Sequence, residues 1–212
     1  MKTLASAESL AIRTGPAPAI SRYSTLLAYL ALAKPRIVSL VVFTAVVACF
    51  AAAQGRPPFT ATVVLIASGT LTAGGAAALN HYFDRDIDGR MARTRRRPLV
   101  TGAIGHPRLA LIGGVTAVAA GVALGARWEL LLGIFELIGA VVYAGIYTLW
   151  LKRRTPLNIV IGGVAGSAAV LGGWAAVDPQ LGLMPWLLAG LVFFWTPAHF
   201  WGLALAGRGD YA

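Results

Sequence analysis

Six apolar runs of eighteen residues or more alternate with short loops, and almost all of the charge lies in those loops. At a rise of about 1.5 Å per residue, each run spans a hydrocarbon layer of roughly 30 Å once interfacial residues are included. No water is available inside such a layer to satisfy backbone groups, so continuous runs of this kind must be helical. The reading is an all-α, polytopic transmembrane helical bundle. Composition agrees: 58% of residues are hydrophobic, 12% are charged and the mean hydropathy is +0.72, values that exclude a soluble globular domain. The expected spans are residues 30–53, 59–83, 109–126, 130–151, 157–177 and 184–205.

The distribution of Lys and Arg tests that count, because cytoplasmic loops are enriched in them. Sixteen of the eighteen fall on one side of the six-span arrangement, and only Arg56 and Arg127 fall on the other. A wrong span count would have mixed the sides. The predicted topology puts both termini in the cytoplasm of a bacterial inner membrane, with the mitochondrial inner membrane as the alternative. Residues 1–28, with the breaker Gly15-Pro16-Ala17-Pro18, read as a cytoplasmic tail or, less simply, as a targeting segment; residues 29–212 form the membrane domain. The formal charge of +10 does not point to nucleic acid, since the basic residues are loop residues without interleaved aromatics. The lone Cys49 forms no intrachain disulfide and reads as a small packed side chain.

Between the second and third runs, the stretch from Asn80 to Leu99 packs three aspartates and six arginines. Each charge at mid-bilayer costs roughly 2.5–3.5 kcal/mol, so this island belongs at the interface or in a wet cavity. Asn80, Asp84 and Asp88 are spaced four and four, and on a helix they form one slowly drifting stripe of oxygen ligands. Asp86 points elsewhere. Hard oxygens in this spacing suit Mg²⁺, which takes one or two carboxylates and completes its shell with water and phosphate. The arginines that follow, from Arg90 to Arg97, are bidentate partners for phosphate. The same residues also suit a plain topology loop whose aspartates cap the helix or pair with nearby arginines.

Three further features lie near this side or within the bundle. Tyr147 to Arg154 ends the fourth run in a basic loop, and folding can carry Lys152 and Arg153 toward the aspartates. The sixth run ends in Phe193-Phe194-Trp195-Thr196-Pro197-Ala198-His199-Phe200-Trp201, an interfacial aromatic belt or the wall of a pocket for a flat macrocycle. Glu136 stands in mid-span and is a functional candidate on that ground, or else a protonated side chain bonded to a neighbouring helix. Gly121-x-x-x-Gly125 and Gly162-x-x-x-Gly166 allow close helix contact.

The chain resembles the UbiA superfamily of intramembrane prenyltransferases through Asn80-x-x-x-Asp84-x-x-x-Asp88. Within it, the chain resembles the protoheme IX farnesyltransferase family through Lys34-Pro35-Arg36, Asp84-Arg85-Asp86-Ile87-Asp88, Arg97-Pro98-Leu99, Tyr147-Thr148, Leu151-Lys152-Arg153, Trp195-Thr196-Pro197 with His199-Phe200-Trp201, and Asp210-Tyr211. The resemblance implies a bundle of nine helices, of which six are present here. It implies transfer of the farnesyl group of farnesyl diphosphate to a vinyl group of haem B with addition of water, giving haem O and diphosphate. By the same resemblance, Asn80, Asp84 and Asp88 form the Mg²⁺ and catalytic site, and Arg93, Arg97, Lys152 and Arg153 are phosphate clamps. His199, Asp210 and Tyr211 are substrate contacts, and haem A synthase or oxidase assembly proteins are partners.

The chain departs from that family at Ala168-Ala169-Val170 and at Ala198, where relatives tend to carry proline. It also stops just after Asp210-Tyr211, so it is expected to be a truncated piece, weakly active or inactive alone. Rival readings are a UbiA-type enzyme with a hydroxybenzoate or chlorophyll-precursor acceptor, a CDP-alcohol phosphotransferase suggested by Asp88-Gly89-x-x-Ala92-Arg93, and a non-catalytic transport or assembly subunit that binds anionic lipid.

Overall fold

The computed structural model describes residues 22–155 and 157–206. The chain folds into helices α1 (Arg22–Leu32), α2 (Pro35–Ala52), α3 (Phe59–Asp88), α4 (Pro107–Trp128), α5 (Leu130–Ala140), α6 (Asn158–Gly162), α7 (Val164–Ala175) and α8 (Leu183–Ala206). Among the described residues, six helical segments are long and apolar enough to cross a membrane, with α5 continuing to Arg153 and α6–α7 acting as one span. The expected all-α bundle is present, with three differences from the expected spans.

The first span begins at Pro35, because the preceding residues form the separate helix α1. Lys34 joins the two in a left-handed conformation, φ 49° and ψ 59°, and Pro35 opens α2 with the φ that a first helical turn needs. The second span extends through the whole aspartate motif to Asp88. The fourth loses α-helical pitch: Val141–Trp150 is π-helical and Leu151–Arg153 closes in a 3-10 turn. The expected tail falls partly on α1, and residues 1–21 lie outside the described residues.

α3 and α4 pack along much of their length, α2 and α5 pack on α7, and α8 lies outside α7 and α6. Small residues set these approaches. At Gly173 a Cβ would overlap the Ala45 carbonyl of α2, and at Gly75 it would come 2.6 Å from the Gly114 carbonyl of α4. The Gly121 and Gly125 pair serves as expected, Gly121 against α3 and Gly125 against Glu136 and Leu132 of α5. Cys49 is fully buried beside Ala45, Leu65, Leu132 and Ala176 at the end remote from the aspartates. There Trp128 Nε1 donates to the Ala176 carbonyl at 2.9 Å.

The arginine-rich loop is anchored. Leu99 and Ile104 are buried against Ala28 and Leu32 of α1 and Ala110 of α4, so α1 and the loop together cap the polar end of the bundle.

Replacing Gly173 with Ala should force α2 and α7 apart. Overpacking of this kind costs about 1–3 kcal/mol. The expected result is a clear fall in thermal midpoint in detergent for Gly173→Ala, with little change for Gly190→Ala, where an added Cβ meets nothing within 4 Å.

Candidate active site

The last three turns of α3 carry Asn80, His81, Asp84 and Asp88, all buried, with Asp84 wholly removed from solvent. The four-residue spacing does place the asparagine and both aspartates on one inward stripe. Asp86 faces outward and meets Arg153 in a two-pronged pair at 2.7 and 2.9 Å, exposed on both sides.

The inward stripe is met by cations from three other places in the chain. Lys152 Nζ lies 2.6 Å from Asp84 Oδ2 across 68 residues. Arg97 Nη1 lies 2.6 Å from Asp88 Oδ2, and Thr94 Oγ1 donates to the Asp88 carbonyl at 2.8 Å, folding the loop back onto the helix end. Lys34 donates to Asn80 Oδ1 and to the Tyr143 hydroxyl, the latter at 3.2 Å. Burial, helped by the positive charge of Arg97, brings the Lys34 ammonium down to a pKa of about 7. Two ion pairs and the Lys34 amine thus meet at this end, and an added anion would favour the charged form of Lys34.

The π-helical stretch explains how α5 reaches this network. Such a helix repeats its faces roughly every four to five residues. Tyr143, Thr148 and Lys152, spaced five and four apart, therefore all face α3. Thr148 Oγ1 donates to the Tyr143 carbonyl at 2.7 Å and accepts from Asn80 Nδ2 at 3.0 Å. Asn80 Nδ2 also donates to Asp84 Oδ2 at 2.8 Å. In this arrangement Asn80 orients Asp84, while its own oxygen is engaged by Lys34.

One oxygen is left over. Asp84 Oδ1 is buried and has no hydrogen-bond partner. An orphaned carboxylate oxygen beside a second carboxylate fits a hard divalent cation. Among the described residues no three His, Cys, Asp or Glu side chains gather into a metal cage, so such an ion would need further oxygens from a ligand. Below this polar end an apolar cavity of about 150 Å³ runs between α2, α3, α5 and α7. Tyr143 joins the two regions, its ring lining the cavity and its hydroxyl bonded to Lys34.

Of the residues singled out from sequence, Asn80, Asp84, Asp88, Arg97 and Lys152 come together. Arg153 is taken up by Asp86, and Arg93 is exposed and makes no ion pair among the described residues. His199 is exposed on α8, stacked on Trp195 at 4.4 Å and edge-on to Phe200, and joins none of the bonds around Asp84. Asp210 and Tyr211 lie outside the described residues. Sequence reasoning missed Lys34, Thr94, Tyr143 and Thr148 as members of the site. It also missed His81, buried with Nδ1 unpartnered. Lys34 carried a signal, as part of Lys34-Pro35-Arg36 at the mouth of an apolar run, and Thr148 stood in the Tyr147-Thr148 pair.

The profile of the UbiA prenyltransferase family matches residues 41–212. The chain belongs to the UbiA prenyltransferase family. Among curated relatives, a protoheme IX farnesyltransferase of Thermus thermophilus is 46% identical over 183 residues, covering 86% of this chain and 30% of that protein. The protein of the same name from Synechocystis is 45% identical over 185 residues, covering 87% and 58%. Protoheme IX farnesyltransferase 1 of Saccharopolyspora erythraea is 42% identical over 209 residues, covering 99% and 67%. The chain thus spans from under a third to two thirds of the length of these family members. A UbiA homologue from Archaeoglobus fulgidus bound to GPP and Mg²⁺ superposes with a TM-score of 0.65 at 18% identity, covering 81% of this chain and 62% of that one. The same homologue bound to DMAPP and Mg²⁺ gives 0.63. At that identity the likeness concerns the fold, which agrees with the bundle described above.

Removing one member of a buried pair leaves an uncompensated charge, at a cost of about 3 kcal/mol or more. Lys152→Ala is expected to lose that much, because Asp84 stays buried. Arg153→Ala, whose pair is exposed, should lose no more than about 1 kcal/mol. Unfolding curves of both variants in one detergent check the contrast.

Proposed function

We propose that the protein is a prenyl transferase that moves the farnesyl group of farnesyl diphosphate onto a vinyl carbon of haem B, giving haem O and diphosphate. The observation that carries this reading is the buried, unpartnered Asp84 oxygen set among Lys34, Arg97 and Lys152 directly above an apolar cavity. The names of the curated relatives and the prenyl diphosphate ligands of the Archaeoglobus homologue support it.

Asp84 and Asp88 are the residues to hold Mg²⁺, with Asn80 available once Lys34 releases its oxygen. The bound ion supplies Lewis-acid neutralisation of the diphosphate. A divalent ion with a prenyl diphosphate remains anionic near neutral pH, and binding it favours the charged form of Lys34.

The protein's own groups act as follows. Lys34, Lys152 and Arg97 grip phosphate oxygens and stabilise the negative charge that grows as the C1–O bond breaks, with the electron pair leaving on diphosphate. The apolar cavity holds the hydrocarbon and keeps water from the allylic cation. The vinyl π pair then forms the new carbon–carbon bond to C1. Water adds to the resulting cation and loses a proton to solvent, leaving a hydroxyethylfarnesyl side chain. Enrichment of Lys and Arg on the aspartate side supports a cytoplasmic-facing site in a bacterial inner membrane.

Mass spectrometry of haem extracted from cells expressing this segment within a full-length chain should show haem O. Asp84→Asn combined with Asp88→Asn should lower it by about 10²-fold or more. Retention of product by that double variant would remove the site from the chemistry. Prenylation of hydroxybenzoates but not haem B in a purified assay would replace the acceptor.

A further inference from the structure

Glu136 is a carboxyl in the middle of the fourth span, and nothing in the proposed chemistry uses it. Its Oε1 accepts from Ser68 Oγ at 2.6 Å and its Oε2 accepts from Thr72 Oγ1 at 3.4 Å, both on α3. Helix α4 closes over these groups: a Cβ at Gly125 would come 2.7 Å from Glu136 Oε2, and one at Gly121 would overlap Thr72 Oγ1. None of the ion pairs among the described residues includes Glu136. One carboxyl, two hydroxyls and two bare glycine backbones thus form a polar knot where three helices meet.

The knot shares its spacing with the polar end of the bundle. Ser68 meets Glu136, Asn80 meets Thr148 and Asp84 meets Lys152, and each pair is separated by the same 68 residues. That constant offset makes α3 and the fourth span parallel, in one register from the knot to the site. Uniform pitch would not produce this. At roughly 100° per residue, the path from Glu136 to Thr148 would turn Thr148 about 120° off the Glu136 face. From Val141 onward the helix is π-helical, at roughly 80° per residue, and Thr148 returns to within about 20° of that face. The knot and the site therefore bind the same face of the fourth span.

We infer that Glu136 is a positioning residue: its bonds to Ser68 and Thr72 fix the register of the fourth span on α3, and through the π-helical stretch that register sets Thr148 on Asn80 and Lys152 on Asp84. A slip of one turn in either direction exchanges one hydroxyl for Ala76 or Val64 and leaves a carboxyl oxygen without a donor where no water is at hand. Apolar packing alone discriminates weakly between neighbouring registers. A buried polar group discriminates strongly, and fixing register is its best-attested use. The placement of Lys152 stands on the geometry; its consequence for catalysis rests on the transferase reading.

The test is a double-variant cycle on the purified full-length chain that contains this segment. Lys152→Ala lowers the unfolding midpoint in detergent, because Asp84 loses its partner. Glu136→Leu keeps a side chain of similar volume, and the freed hydroxyls can turn to carbonyls of their own helix, as Ser68 already does to Leu65 at 3.4 Å. In the Glu136→Leu background the shift caused by Lys152→Ala should shrink by about half or more, since the pair is already misaligned. Glu136→Gln, which keeps an oxygen for Ser68, should leave that shift whole. Residues more than about 10 Å apart with no shared partner ordinarily act additively, and Lys152 lies on the order of 20 Å along the helix from Glu136. Additive shifts in Glu136→Leu therefore overturn the inference, since Glu136 then only stabilises the fold. Should that variant not fold, Ser68→Ala combined with Thr72→Val must shrink the Lys152→Ala shift in the same way, and additivity there overturns it equally. Calorimetric titration with Mg²⁺ and inorganic diphosphate supplies the functional readout. Glu136→Leu should weaken binding about ten-fold, and adding it to Lys152→Ala should weaken binding no further. A wild type that binds no diphosphate with Mg²⁺ brings down the transferase reading, while the unfolding cycle still decides the register.

Discussion

A carboxylate buried in a membrane bundle demands a partner, and the pairing of Asp84 with Lys152 meets that demand across 68 residues of chain. Stripped of water in a medium of low polarity, either charge alone is strongly unfavourable. The end of α3 can therefore be enclosed only when the end of the fourth span arrives beside it. The change to π-helical pitch after Ala140 brings Tyr143, Thr148 and Lys152 onto a single face, and Thr148 then holds the Asn80 amide that orients Asp84. The irregular stretch and the polar site are one feature of the fold. Pitch defects of this kind recur at functional sites because they redirect side chains without breaking the helix.

Close packing and open space are both needed within the same few helices. Glycines at positions 75, 121 and 173 let backbones approach nearly to contact, which compensates for the absence of a hydrophobic driving force between helices in lipid. Along the opposite faces, small residues such as Ala73, Ala76, Gly139 and Ala169 leave the cavity between α2, α3, α5 and α7. Small side chains thus bind helices where two backbones meet and leave room where they diverge. The polar end is closed from above by α1 and the arginine loop, through Leu99 and Ile104. That roof keeps Asp84 dry, and dryness gives the surrounding cations their electrostatic strength.

Much of this was legible in the linear chain, for identifiable reasons. Helices in lipid must satisfy their own backbones, so apolar runs and charged loops reveal spans almost directly. The Asn80, Asp84 and Asp88 stripe followed from helical period alone. Where local rules were incomplete, the reading slipped. The expected first span, residues 30–53, ran through Lys34, whose left-handed turn separates α1 from α2 and aims its ammonium at Asn80. Arg153 looked equivalent to Lys152, yet one meets the exposed Asp86 and the other the buried Asp84. His199 stacks on Trp195 on an exposed face of α8 and is not among the groups bonded around Asp84.

Hydropathy and charge asymmetry by themselves determined the class of fold, the spans among the described residues and the end of the bundle that carries the aspartates, because each depends on the bilayer acting on residues near in sequence. Tertiary structure decided which cation pairs with which carboxylate, that Asp84 keeps an unpartnered oxygen, and that Glu136 bonds to Ser68 and Thr72 at the wall of a cavity. Those outcomes depend on contacts between residues tens of positions apart, and on the pitch of a helix that packing, rather than local propensity, imposes.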